Sequence, residues 1–138
     1  MIQVEPNWQP ISALPMISQL IREMRKDTDQ QYQTLLEAED KPHALDDALV
    51  DRVIQLYTTQ AEDVAIFEQQ LARWKKEDLT PAQEQEIKLL SEPLQQLREL
   101  ETKILSLAEK LKQGTIDSIL RKSDAELAIE VLSGKRKL

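Results

Sequence analysis

The amino-acid sequence predicts an all-α protein: an antiparallel bundle of three long helices followed by a short C-terminal two-helix module. Three observations carry that expectation. Charged residues make up 31% of the chain and aromatic residues only 4%, a mixture that suits helices and lacks the aromatics strands favour. The 138 residues hold two glycines, too few for the repeated tight turns of a sheet protein. Apolar residues recur at spacings of three and four along three long stretches. The length suits one domain, with residues 1–11 as an arm, 12–113 as the bundle and 114–138 as the C-terminal helices with a basic tail.

The arm holds Trp8 between Pro6 and Pro10 and reads as extended. The first helix is expected from Ser12, a suitable N-cap, with Pro15 tolerated in the first turn. Its inward stripe is Leu14, Ile17, Ile21, Met24, Thr28, Gln31, Leu35 and Ala38, and Pro42 requires the helix to end before it. In the connection KPHALDD, Asp46 or Asp47 caps the second helix, where negative charge favours the N-terminal end. The second stripe is Val50, Val53, Tyr57, Gln60, Val64, Phe67, Leu71 and Trp74, and Lys75 and Lys76 suit the C-terminus.

The third helix has the clearest start. Thr80 stands at the N-cap, Pro81 at N1 and Gln83 at N3, a capping-box arrangement. Its stripe runs Ile87, Leu90, Leu94, Leu97, then Leu100 or Glu101, Ile104, Leu107 or Ala108, and Leu111. Pro93 removes one hydrogen bond and should kink the helix, with a register shift just beyond; Gly114 should end it. The remainder fits two short helices, capped by Thr115 and by Ser123 with Glu126, and stopped by Gly134.

Folding the first two helices back on each other places Ala38 against Val50, Leu35 against Val53, Met24 against Val64 and Ile21 against Phe67. The same register sets Gln31 opposite Tyr57 and Thr28 opposite Gln60, so the polar interruptions of the two stripes coincide. A polar residue facing a hydrophobe is costly, whereas polar facing polar is satisfiable. Thr28, Gln31, Tyr57 and Gln60 are therefore expected to form a hydrogen-bonded layer that controls register, as a lone polar residue does in a coiled coil. A small-molecule pocket there is the lesser expectation.

Function is bounded chiefly by what is missing. The chain has no cysteine, which excludes disulfides, thiolate zinc sites and cysteine nucleophiles. The single histidine, His43, cannot supply the two Glu-x-x-His motifs of a di-iron bundle, and a solvated loop residue is expected. Both glycines, Gly114 and Gly134, read as helix stops rather than parts of a phosphate loop. The acidic group Asp40, Asp46, Asp47 and Asp51 reads as a solvated helix start. No catalytic residue, metal or cofactor is expected, and the protein is not expected to be an enzyme. No apolar run approaches the roughly 20 residues of a membrane span, and the first ten residues lack a signal-like apolar segment; a cytoplasmic location is expected.

Charge is uneven. Residues 1–109 carry 11 basic and 21 acidic side chains, and residues 110–138 carry 7 and 4. An acidic body repels nucleic acid. A nucleic-acid-associated regulator acting through the closing GKRKL is the alternative reading, weakened because Asp124, Glu126 and Glu130 occupy the would-be recognition helix. A protein partner or self-association is favoured. Leu49, Ile54, Leu56 and Ile66 flank the second stripe, and Leu89 and Leu105 the third, more than the roughly three positions in seven that a bundle helix buries. Leu49, Leu56, Leu89 and Leu105 are thus the expected edges for a partner helix, and an interaction, adaptor or assembly role is the expected function.

Overall fold

The computed structural model describes residues 6–115 and, beyond them, Leu120, Glu126, Ile129 and Leu132. Helix α1 spans Leu14–Ala38, α2 Asp47–Trp74, α3 Pro81–Leu89 and α4 Ser91–Lys112, with single 3-10 turns at Ile11–Ala13 and Pro42–Ala44. No strand occurs among the described residues. Helices α1, α2 and α4 form the body, and α4 lies against both of the others. The caps expected at Ser123 and Gly134 lie outside the described residues; Leu120, Glu126, Ile129 and Leu132 are each helical and exposed.

Local chemistry accounts for most boundaries. Asp46 caps α2 by accepting the Leu49 N–H at 2.7 Å. Thr80 and Gln83 form the reciprocal capping box of α3, with Pro81 in the first turn. The start of α1 departs from expectation. Ser12 does not cap it; the Ala13 N–H donates to the Pro10 carbonyl at 2.9 Å, and the chain enters α1 through a 3-10 turn. Backbone bonding replaces the side-chain cap there.

The third long helix is interrupted at one residue, Leu90, between α3 and α4. Pro93 has no N–H to offer the Leu89 carbonyl, and its ring crowds that carbonyl, yet Leu90 keeps right-handed helical backbone angles and the bonds from the Leu90 N–H to the Glu86 carbonyl and from the Leu94 N–H to the Leu90 carbonyl. The Ser91 hydroxyl donates to the Lys88 carbonyl at 2.8 Å, which satisfies one acceptor at the break.

The main apolar cluster gathers Ile17 and Ile21 from α1, Val64, Leu71 and Trp74 from α2, Ile87 from α3, and Leu90, Leu94 and Leu97 around the break. Val50, Ile104, Leu107, Ala108 and Leu111 are buried beyond it, toward the other end of α4. Each fully buried aliphatic side chain contributes about 1.5–3 kcal/mol. At one end the arm is pinned to α2. The Trp74 indole N–H donates to the Gln9 carbonyl at 3.0 Å, and the Gln9 N–H donates to Gln70 Oε1 at 2.7 Å. The Arg73 guanidinium stands 4.0 Å from the centre of the Trp8 ring. At the other end the Thr115 hydroxyl donates to Asp47 at 2.6 Å, and Lys112 pairs with Asp51 at 2.9 Å.

Candidate functional site

Between the two apolar regions lies a polar layer. The Gln60 amide donates one hydrogen to Thr28 Oγ1 at 2.9 Å and another to Glu101 Oε2 at 2.7 Å. Thr28 is 1% exposed and Glu101 2%. Each of the three packed helices α1, α2 and α4 thus contributes one side chain, with the glutamine as the bridge. An amide is suited to this place because it carries two N–H donors and aims them at two acceptors at once.

Tyr57 is buried one helical turn from Gln60. Burial, and then the charges of Asp27 and Glu101, push its phenol above the ordinary tyrosine range, so it stays protonated at neutral pH. Gln31 is exposed and stands outside the layer. In a straight helix Gln31 projects about 60° to one side of Thr28 and Tyr32 about 40° to the other. The inward line passes nearer Tyr32, which is half-buried with the Lys103 ammonium 5.9 Å from its ring centre.

Glu101 completes the layer and is the member that reasoning from two helices missed. Its signal was the spacing Leu97, Glu101, Ile104, Ala108 and Leu111, in competition with Leu100. The structure turns Glu101 inward and leaves Leu100 half-buried. Burial raises its carboxyl above the ordinary glutamate value, opposed by the Gln60 hydrogen bond and the positive charge of Arg98.

A second polar cluster joins the start of α1 to α3. The Ser18 hydroxyl and the Arg22 guanidinium both donate to Glu86 Oε1, the latter at 2.8 Å. The Ser18 hydrogen bond, followed by that of Arg22, holds the Glu86 carboxyl below the ordinary range. A shallow groove lined by Ile11, Pro15, Ser18, Ala82 and Glu86 runs beside it.

The leucine edges are differently exposed. Leu49 is 45% exposed, Leu56 57% and Leu89 49%, whereas Leu105 is half-buried. Met16, Leu20 and Ile66 are further exposed apolar side chains. His43 is exposed in the first connection. Among the described residues no group of three or more histidine and acidic side chains is arranged to hold a metal ion. Asp46 serves as a helix cap and Asp51 as the partner of Lys112. No helix of the described residues is long and apolar enough to cross a membrane. Comparison with protein-family models, with curated proteins and with solved structures gives no match.

Proposed function

We propose that the protein is a non-catalytic helical interaction or assembly subunit, acting in the cytoplasm, that receives a partner helix along its exposed leucine edges. The observation that carries this reading is the exposure of Leu49 and Leu56, one heptad apart on α2, beside a core already filled by Val50, Tyr57 and Val64. Residues seven apart share a helix face, so the two leucines offer one strip of apolar surface. Ile66 and Leu20 add exposed apolar area, and large exposed apolar side chains in groups mark interaction surfaces.

We infer an up-down-up arrangement of the body. It is supported by the pairing of Asp51 near the start of α2 with Lys112 at the end of α4, and of Glu68 toward the end of α2 with Arg98. In that arrangement the leucine strip on α2 is open to a fourth helix.

Light scattering over a concentration series tests self-association, and cross-linked capture from the native host tests a second protein. The wild type is expected to associate in at least one of these assays. The double variant Leu49→Lys/Leu56→Lys is expected to lose that association while keeping its helical circular dichroism. Association unchanged in the double variant would remove the leucine strip from the proposal, and a wild type that associates with nothing would remove the proposal itself.

A further inference from the structure

We propose that Glu101 is a proton-binding site, and that its occupancy sets how firmly α1, α2 and α4 close around the middle of the bundle. Glu101 is 2% exposed, and its hydrogen-bond partner is the Gln60 amide, a neutral donor at 2.7 Å. The nearest guanidinium, Arg98 on the same helix, donates through Nε to Glu68 instead. Buried carboxylates are ordinarily held by a bonded cation or by several N–H donors. This one has neither.

The charged surroundings deepen the mismatch. Helix α2 presents Asp63, Glu68 and the phenol of Tyr57 toward the site, and α1 presents Asp27 to the same tyrosine. Arg98 is the cation of α4 that acts on the carboxylate, and its charge is shared with Glu68. A proton on Glu101 removes a charge from this acidic, desolvated place and adds an O–H donor to a layer otherwise supplied by Gln60. The neutral layer holds no buried charge. The ionised layer keeps one charge out of water with a single amide to hold it.

The sign of the effect follows. A carboxyl whose folded-state midpoint lies above its ordinary 4.5 holds its proton in the folded chain at pH values where the unfolded chain has lost it. Folding then takes up a proton in that window. Stability falls as pH rises through the window and stays lower above it, and acidification back toward the ordinary value restores it. Glu86 acts in the opposite sense and at lower pH, because its midpoint is depressed. The two contributions separate along the pH axis.

Carbon-13 titration of the glutamate carboxyls in the folded wild type reads the site directly. The Glu101 carboxyl carbon is expected to titrate above the ordinary glutamate midpoint. Thermal unfolding of the wild type and of Glu101→Gln across pH 4.5 to 8 reads the consequence. The wild-type melting temperature is expected to fall through the Glu101 midpoint, and the variant to lack that fall. Amide protection near Gln60 and Glu101, corrected for the intrinsic base-catalysed rate, is expected to fall above the midpoint in the wild type only. A Glu101 carbon that titrates at or below the ordinary midpoint overturns the proposal, as does a variant with the wild-type fall intact. Should Glu101→Gln not fold, the carboxyl titration of the wild type decides the matter.

Discussion

At the scale of single residues, Gln60 is where most of the structure's polar logic meets. One amide serves an acceptor on each of two neighbouring helices, so its removal leaves two buried groups short of a donor. Gln60→Leu is expected to cost about 1–3 kcal/mol, with the larger share from the Glu101 carboxylate, since an unsatisfied charged group is penalised more than a hydroxyl. Adding Thr28→Val should recover a small part of that loss, and adding Glu101→Leu a larger part, because apolar partners need no donor. Denaturant unfolding of the single and double variants measures both couplings. Additive losses for the Gln60 and Glu101 pair would show that the two do not act as one layer. The Thr28–Gln60 half of this layer was legible as two polar gaps falling opposite each other. Glu101 was harder to read, since Leu100 satisfies the same periodicity, and only contact with two other helices selects between adjacent residues.

At the scale of elements, the caps of α2 and α3 were readable, unlike the one expected at Ser12, because each depends on a few consecutive residues. Thr80→Ala removes the capping-box acceptor and is expected to cost about 1 kcal/mol by urea unfolding, with the loss concentrated in α3 amide exchange. The break at Leu90 was visible in outline through Pro93, but its extent was not. A proline interior to a helix is compatible with a bend or a longer interruption, and here the irregularity is confined to Leu90, with Pro93 and Leu94 buried just beyond it. The arm gives a second test. Trp74→Phe keeps the aromatic bulk and deletes the shorter of two N–H bonds to the Gln9 carbonyl, the other coming from Gln70 Nε2 at 3.4 Å. A loss of about 1 kcal/mol is expected, together with faster exchange at the Gln9 amide. Wild-type exchange there would mean that the two bonds between the Gln9 backbone and the Gln70 side chain suffice to hold the arm.

For the whole molecule, the ion pairs and the core have unequal weight. The pairs Arg22–Glu86, Arg98–Glu68, Lys110–Glu39 and Lys112–Asp51 join different elements, yet all are substantially exposed. Exposed pairs contribute about 0–1 kcal/mol each and are screened by salt. Arg98→Gln is therefore expected to shift the urea midpoint little, and to raise the Glu101 midpoint by withdrawing its opposing positive charge. Core residues carry the stability. Ile104→Ala should cost about 2–5 kcal/mol, since the side chain is fully buried and leaves a cavity between helices. A near-neutral result in the same unfolding assay would place Ile104 in a seam that collapses or admits water.

The sequence by itself determined the helical class, the capped start at Thr80, an aspartate cap on α2 at Asp46 or Asp47, and the inward stripes of α1 and α2 except at Gln31. These depend on residues within a few positions of one another, where periodicity and hydrogen-bonding chemistry act alone. Tertiary structure decided the rotation of each helix about its own axis. It placed Glu101 inside and Gln31 outside, seated Gln9 on Trp74 and Gln70, and brought Ser18 and Arg22 to Glu86. The first two of those outcomes choose between neighbouring residues that a single helix accommodates equally well, and the others join segments more than sixty residues apart. The balance is tipped by packing against elements distant in the chain, because adjacent positions on a helix differ by about 100° in direction and only a partner surface tells inside from outside.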